Sequence, residues 1–95
     1  MRTNQPPRFQ LGQVVATPGA LEALHTAGQT PLEFLRRHQT GDWGDVPSED
    51  AQENELSVEQ GCRILSAYIL TTDVKIWLLT EADRSATTLL LPSEY

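Results

Sequence analysis

The chain has 95 residues, which is enough for one domain with a single hydrophobic core. Its hydrophobic content of 39% and charged content of 21% are those of an ordinary globular protein, so the composition excludes a disordered chain. Thirteen acidic and seven basic residues give a net charge of −6, which argues against direct binding of nucleic acid, because such binding needs a basic surface.

The first elements expected along the chain are a strand and a helix. Polar and apolar residues alternate over residues 9–16, which predicts a strand with Gly12 at a bulge or at a close approach of two backbones. Thr17 then provides an N-cap and Pro18 the first helical residue, since proline is favoured at that position. The helix is expected to end at Gly28, because glycine readily adopts left-handed backbone angles.

A second short helix is expected directly after the first. Thr30 and Glu33 have the spacing of a capping box around Pro31, in which each side chain bonds the backbone of the other residue. The basic residues 36–38 lie in the last turn, where the helix dipole favours positive charge. Both signals predict a helix from Pro31 to the end of this basic cluster.

The third predicted helix covers residues 48–60, with Ser48 as its cap and Gly61 at its end. Acidic residues in its first turn suit the positive end of the helix dipole. Its apolar face is thin, because a polar residue, Asn54, lies within it. We therefore expect this helix to pack lightly against the rest of the domain.

The last third of the chain changes to the period of β-strands. Residues 62–71, 74–80 and 87–91 are rich in β-branched, aromatic and aliphatic residues, and Asp73 suits a tight turn between the first two. Apolar residues occur on both faces, so the strands need cover on both sides or use one side for contact. The order β-α-α-α-β-β-β predicts an α+β domain with three short helices packed on a mostly antiparallel sheet.

The middle of the chain concentrates its negative charge. Seven carboxylates and no lysine or arginine lie between Asp42 and Glu59, and the rest of the chain is near +1, with six acids against seven bases. Such a patch recruits or repels a partner, which a diffuse charge does not do. Glu49, Asp50 and Glu53 share a helix face. This face either keeps the domain soluble or imitates a row of phosphates and binds a basic protein.

Several features bear on cellular location. Residues 1–7 are polar and proline-rich, which predicts a flexible leader ahead of a single domain over residues 8–95. The sequence shows no apolar run suited to a signal peptide or a membrane span. Cys62 is the single cysteine and is expected to be a small buried residue. These features predict a cytoplasmic protein, as a monomer or a small homo-oligomer that does not bind membranes.

Several segments together resemble a group of small bacterial proteins. The segments are residues 16–21 (ATPGAL), 37–44 (RHQTGDWG), 66–68 (SAY), 80–88 (TEADRSATT) and 91–95 (LPSEY). Proteins of this group have about this length and no established activity, and they are often encoded on plasmids and other mobile elements. Some carry a restriction-modification label, although they have no room for a methyltransferase domain. The resemblance implies one compact domain in the bacterial cytoplasm and carries over no catalytic residue.

A first candidate site comprises His38, Asp42 and Trp43. As a functional site, the imidazole would act as a general base oriented by the carboxylate, with the indole as a stacking wall. As structural residues, His38 would cap carbonyl groups at a helix end, Asp42 would shape a turn and Trp43 would fill the core. The sequence leaves both interpretations open.

A second candidate site is the loop that contains Glu81, Asp83 and Arg84. Its charged groups suit a phosphate or another polar ligand, because arginine forms bidentate hydrogen bonds with such groups. In the structural alternative, Asp83 shapes the loop and Arg84 pairs with a neighbour such as Glu81. Both interpretations again stay open.

The sequence predicts no cofactor and no metal site. The two histidines and the cysteine are scattered without metal-ligand spacing, and a hard-cation site of Asp42, Asp45 and Asp50 lacks the spacing of a calcium loop. A glycine-rich phosphate loop and a nucleophile elbow are both absent. We therefore name no catalytic residue.

These observations favour a non-enzymatic accessory protein that binds a partner protein through the acidic segment and the adjoining Trp43 loop. A mobile-element setting favours a nucleic-acid-handling protein as the target. The alternative is a small enzyme or ligand-binding protein with one cleft lined by the charged groups of both candidate sites, and a third hypothesis is an oligomerising module. The residues expected to bind a partner or ligand are His38, Asp42, Trp43, Asp45, Glu49, Asp50, Glu53, Glu81, Asp83 and Arg84.

Overall fold

The computed structural model describes residues 5–95, which form one four-stranded sheet and three α-helices. The elements follow the predicted order and confirm the α+β class. In chain order they are β1 (Gln13–Ala16), α1 (Pro18–Ala27), α2 (Pro31–Gln39), α3 (Ser48–Gln60), β2 (Ile64–Ile69), β3 (Lys75–Thr80), β4 (Ala86–Leu90) and a short 3-10 helix (Pro92–Glu94). The predicted leader lies partly outside the described residues, in residues 1–4.

The sheet is mixed, with the strand order β1-β4-β3-β2. The hairpin neighbours β2, β3 and β4 pair antiparallel, as expected, whereas β1 pairs parallel to β4, with Gln13 opposite Ala86. The strand nearest the N-terminus and the strand after α3 therefore form the two edges of the sheet. This arrangement places α3 beside β2, at the edge opposite β1.

The ends of α1 agree with the local sequence signals. The Thr17 hydroxyl accepts a hydrogen bond from the Ala20 amide at 3.1 Å, and Pro18 is the first helical residue. Gly28 ends the helix with a φ of +69°, in the left-handed region. Both predicted boundaries of α1 are confirmed.

The capping box predicted for α2 and the cap residue predicted for α3 are both wrong. Thr30 is the residue at the N-cap position of α2, but its side chain makes no cap bond, and the Glu33 carboxylate instead accepts a hydrogen bond from the side-chain amide of Gln29 at 3.2 Å. Pro47, not Ser48, is the N-cap residue of α3, and Ser48 is already helical. A proline therefore stands at the start of both helices, since its φ is fixed near the helical value. Pro31 is the first helical residue of α2, and Pro47 is the residue just before α3.

The main core lies between α1, α2 and one face of the sheet. Alternate residues of the strands point into it, because successive side chains of a strand point to opposite faces. The core is almost wholly apolar, apart from one polar cluster described below. Its buried apolar members are Ala20, Leu24, Phe34, Leu35, Tyr68, Leu70, Ile76, Leu78 and Leu89.

A smaller apolar cluster lies beneath α3. It consists of Phe9, Trp43 and Ile64, with partly buried neighbours that include Ala51 and Val58 of the helix. Asn54 is the one buried residue of α3, which confirms that few apolar contacts hold this helix. The attachment of α3 therefore depends on polar contacts.

The first strand is shorter than the sequence predicted. Phe9 and Leu11 precede β1 in an irregular segment, where they pack into the apolar clusters. Gly12 has a φ of +67°, and a Cβ at this position would collide with the backbone carbonyls of Arg84 and Ser85. The close backbone approach predicted at Gly12 is thus confirmed.

Within residues 5–95, the helices are all too short or too polar to cross a lipid bilayer.

Candidate functional site

Ion pairs divide the acidic segment into two groups. Three of its seven carboxylates have a basic partner within 4 Å, so the charge of the segment is partly neutralised within the molecule. The pairs are Asp42–Arg37 at 2.7 Å, Asp45–Lys75 at 3.4 Å and Glu55–Arg8 at 2.8 Å. All three are exposed, and such pairs contribute about 1 kcal/mol or less each.

The other group forms what we call the acidic surface, defined as Glu49, Asp50 and Glu53 on α3. All three side chains are exposed, and none of them forms an ion pair within residues 5–95. Leu56 is 54% exposed and follows Glu49 by seven residues and Glu53 by three, which places it on the same helix face. Glu59 is also exposed, but the hydrogen bond with Glu55 and, to a smaller extent, the charge of Glu59 raise the pKa of Arg8, so the charge of Glu59 is partly balanced.

One anchor of α3 is the side-chain amide of Asn54. Its nitrogen donates to the Leu65 carbonyl at 2.8 Å, and its oxygen accepts from the Leu65 amide at 3.2 Å. A single side chain thereby satisfies both backbone groups of one residue in the edge strand β2. The two bonds fix the distance and the rotation of α3 relative to the sheet.

A second anchor is the carboxylate of Glu55. It accepts two hydrogen bonds from Arg8, at 2.8 and 3.1 Å, and one from the Trp43 indole at 3.0 Å. The bonds from Arg8 and then from Trp43 lower the pKa of Glu55. This carboxylate therefore belongs to the attachment of the helix and is not available to a partner.

A third anchor is Arg84, at the C-terminal end of α3. Its guanidinium donates to the carbonyls of Ser57 at 2.7 Å, Cys62 at 2.6 Å and Glu81 at 3.2 Å. The positive charge also suits the carbonyl end of a helix. Because these donors are engaged, no free face of the guanidinium supports the prediction that Arg84 binds a phosphate. The predicted pairing with Glu81 is made with the backbone carbonyl of that residue and not with its carboxylate.

A groove of about 220 Å³ lies along the junction of α3 and β2 beside the acidic surface. Acidic side chains form its helix side, and Arg63 lies on its strand side. The lining residues are Asp50, Glu53, Asn54, Ser57, Arg63 and Leu65.

His38 lies in the main core, where it has no exposed surface. Its Nδ1 is 2.6 Å from the Ser66 hydroxyl, and its Nε2 is 2.8 Å from the Thr80 hydroxyl. Burial, and then the positive charge of Arg84, lower the pKa of His38 to about 3. The imidazole therefore neither faces a solvent cleft nor caps helix carbonyls, and both sequence interpretations of His38 are wrong.

The hydrogen bonds that continue from Thr80 to Thr87 and the Leu11 carbonyl determine which group donates in each bond of this cluster. The Thr80 and Thr87 hydroxyls are 2.7 Å apart, and Thr87 donates to the Leu11 carbonyl at 2.8 Å. Because that carbonyl only accepts, Thr80 donates to Thr87 and must itself accept from Nε2–H of His38. Nδ1 then accepts from the Ser66 hydroxyl, so the buried imidazole is the neutral Nε2–H tautomer.

Asp42 and Trp43 have the structural roles considered for them. The Asp42 carboxylate pairs with Arg37 and accepts a hydrogen bond from the Gly44 amide at 3.2 Å, which shapes the turn after α2. Trp43 is buried and stacks on Phe9, with ring centroids 6.3 Å apart. Neither side chain meets the imidazole ring nitrogens.

The two candidate sites approach each other but do not form a cleft around His38. The Phe9 ring lies between them, 5.1 Å from the His38 ring and 5.6 Å from the Arg84 guanidinium. Asp83 accepts a hydrogen bond from the Ser85 amide at 3.0 Å, and the bonds from Ser85 lower its pKa. Glu81 is half-exposed, 3.8 Å from Arg63. An apolar ring thus occupies the place where a ligand would meet both loops.

Sequence reasoning missed several residues that hold the site and misplaced one. Arg8, which directly follows the predicted proline-rich leader, binds Glu55, and Asn54 binds Leu65. The isolated polar residue within the apolar face of α3 was the available signal for the second contact. Cys62 is exposed, so the prediction of a buried thiol is wrong. In the described part of the chain, no three potential metal ligands of the His, Cys, Asp or Glu type are grouped together.

Comparison with known proteins finds limited similarity. No family model matches the chain, and no solved structure matches it. A segment of 61 residues, 64% of the chain, is 36% identical to the cytochrome c biogenesis ATP-binding export proteins CcmA of Bordetella parapertussis and Bordetella bronchiseptica. The chain spans only 27% of the length of these curated relatives. The similarity is therefore partial and does not establish a family.

Proposed function

We propose that this chain is a non-enzymatic protein-binding domain that recognises a basic partner through the acidic surface of α3. One observation carries the proposal. Three polar anchors fix α3 to the body of the domain, while Glu49, Asp50 and Glu53 remain exposed and without an ion pair among residues 5–95. A fixed array of unbalanced carboxylates meets a complementary partner with little loss of conformational entropy.

The competing interpretation is that these charges only keep the domain soluble. Two features favour recognition. Leu56 exposes an apolar side chain on the same helix face, which adds a surface that a partner can bury. The groove beside Asp50 and Glu53 adds a concave border with Arg63 on its far side. A solubilising face needs neither a concave border nor an exposed leucine.

The proposed partner is a basic protein of the kind that handles nucleic acid. A row of carboxylates can occupy a site that otherwise binds phosphates, because both present regularly spaced negative charge. The resemblance to proteins of plasmids and mobile elements supports this choice, since interference with host nucleic-acid metabolism suits such a setting. A bacterial cytoplasmic location belongs to the same proposal.

ATP binding is not carried over from CcmA. Those relatives are named as ATP-binding export proteins of cytochrome c biogenesis. The sequence of this chain lacks the glycine-rich loop with its lysine that holds phosphates in ATP-binding proteins of the P-loop type. The enzyme alternative is also not retained, because His38, its general base, has no exposed surface.

The proposal is tested with the double variant Glu49→Gln/Glu53→Gln and a matched control, Glu22→Gln/Glu33→Gln. Both change two exposed helical glutamates and the net charge equally. Tagged proteins capture partners from bacterial lysate at low and moderate salt, and the partner identified is purified for affinity measurement. We expect the first variant to bind about tenfold more weakly and the control to bind like the natural protein, since surface charges contribute about 1 kcal/mol or less each. Equal binding by both variants, or binding that is indifferent to salt, would falsify the proposal.

A further inference from the structure

The two edges of the sheet differ in how their outward backbone groups are satisfied. At the β2 edge, Asn54 bonds both groups of Leu65, and the turn after α2 bonds both groups of Ala67: the Ala67 amide donates to the Trp43 carbonyl at 3.1 Å and its carbonyl accepts from the Asp45 amide at 2.6 Å. Covering an edge in this way prevents another strand from adding to it. The sheet is therefore closed on this side.

The β1 edge is open. Gln13 and Thr17 direct their amides to β4, where they donate to the Ser85 and Leu89 carbonyls at 2.9 Å each. In the parallel register of β1 and β4, the intervening residues Val14 and Ala16 direct both backbone groups away from the sheet. Within residues 5–95, no backbone hydrogen bond satisfies these outward groups.

The composition of this edge is unusual for an unpaired strand. Exposed edges are normally protected by charged side chains, proline or a bulge. Residues 9–21, which contain β1, include no charged residue, although the chain as a whole has a net charge of −6. Val14 and Val15 are 43% and 41% exposed. The open edge thus combines free backbone groups with apolar side chains and no charge.

We propose that two copies of this chain form a dimer by antiparallel pairing of their β1 strands. A second copy is the occupant that the charges favour. The two β1 strands carry no charge of their own, and α3, at the opposite edge of each sheet, keeps the two acidic surfaces far apart. The carboxylate nearest in position, that of Glu94, already accepts hydrogen bonds from the Thr17 hydroxyl and the Leu91 amide, so β1 itself offers a basic partner no charge to meet. Among residues 5–95, β1 is open along its length while β2 is covered at Leu65 and Ala67, so the pairing closes as a dimer and does not continue into a fibre.

The register follows from which residues face outward. Val14 of each copy pairs with Ala16 of the other, which gives four backbone hydrogen bonds around a two-fold axis at Val15. The two Val15 side chains then oppose each other as a non-hydrogen-bonded pair, with Cβ atoms about 4.5–5.5 Å apart. The result is a continuous eight-stranded sheet. This contact is small against a standard interface of roughly 1,600 Å², so we expect dissociation in the micromolar range or weaker.

The first experiment measures mass in solution by sedimentation over a wide range of protein concentration, for the natural chain, Val15→Lys and the control Leu32→Lys. Leu32 is equally suitable for substitution, because it is exposed on α2. We expect the natural chain and the control to dimerise at high concentration, and Val15→Lys to stay monomeric because two lysines would oppose each other. Circular dichroism establishes that each variant is folded. A natural chain that stays monomeric at every concentration overturns the proposal, as does a dimer that Val15→Lys still forms.

The second experiment tests the register by disulfide formation. With Cys62 replaced by serine, Val15→Cys is expected to give an intermolecular disulfide under mild oxidation, because the two thiols would face each other across the axis. The control Leu32→Cys with the same serine replacement is expected to stay monomeric. Equal crosslinking of both variants would mean random collision and would contradict the register. This dimer does not depend on the acidic surface, so its failure leaves the proposed function standing.

Discussion

Asn54 satisfies both backbone groups of Leu65 and so takes the place that a neighbouring strand would occupy beside β2. Most helices pack on sheets through apolar side chains, whereas α3 has a single buried residue and that residue is an amide. The contact has two effects at once. It attaches the helix that carries the acidic surface, and it prevents edge pairing at β2.

Replacing this amide should destabilise the domain. Asn54→Ala leaves the amide and carbonyl of Leu65 without partners at a partly buried position, and we expect a loss of about 1–3 kcal/mol in the free energy of unfolding. Urea denaturation measures it. Gln52→Ala, on the exposed side of the same helix, is the control and should change stability by less than about 0.5 kcal/mol. Similar stabilities for the two variants would show that the Asn54 bonds contribute nothing.

The stability of the domain should fall with acidification because of His38. Its pKa is lowered from an ordinary value of 6.5 to about 3, so the unfolded chain binds a proton in this range that the folded chain excludes. The contribution is fully present above about pH 6.5, falls as the pH drops and is fully lost near pH 3, at a cost on the order of 4 kcal/mol. Urea denaturation at a series of pH values measures the slope. His25→Gln should retain that slope, because His25 is exposed; a flat profile between pH 6.5 and 4 would contradict the buried neutral imidazole.

The hydrogen-bonded hydroxyls of Thr80 and Thr87 predict the tautomer of His38 and the loss of stability when their bonds are broken. Nitrogen NMR should show a protonated Nε2 and an unprotonated Nδ1 on His38 at neutral pH. Thr87→Val removes the donor to the Leu11 carbonyl and the acceptor of the Thr80 hydroxyl, and we expect a loss of about 1–3 kcal/mol. Thr88→Val changes the neighbouring residue on the other face of β4 and should cost less. A protonated Nδ1 would contradict the donor and acceptor assigned to each hydrogen bond of this cluster.

Substitutions at two glycines with nearly the same φ distinguish the cost of backbone strain from the cost of a steric collision. Gly12 and Gly28 have φ values of +67° and +69°, but a Cβ at Gly28 would meet no atom within 4 Å, whereas one at Gly12 would collide with the Ser85 carbonyl. Gly28→Ala should cost about 1 kcal/mol through backbone strain alone. Gly12→Ala should cost clearly more, because β1 must also move away from the β3–β4 loop. Thermal unfolding compares them, and equal costs would refute the close approach.

The sequence was informative where the signals are local. The C-terminal ends of α1 and α3 follow from a residue type with a strong backbone preference, and Gly28 and Gly61 both adopt the left-handed angles that end a helix. Asp73 also has the positive φ expected for its turn, at 68°. These preferences act within a few residues of chain and need no knowledge of the tertiary structure.

The site was less predictable because its contacts join distant parts of the chain. His38 bonds Ser66 and Thr80, which are 28 and 42 residues away in sequence. A histidine in the last turn of a helix carries the same local signal whether it faces solvent or the sheet. Arg84 shows the same effect, since two of the carbonyls that bind it lie at the end of α3, more than 20 residues away in sequence, and its own φ of 61° is atypical for a residue with a side chain.

Phe9 has a practical consequence for anyone who prepares shortened forms of this protein. The ring precedes the first strand, yet it contacts His38, Trp43 and Arg84. A fragment cut to begin at β1 would retain every strand and helix but would leave water access to the imidazole and remove the support under α3. Expression plasmids for smaller versions should therefore retain the residues from Arg8 onward.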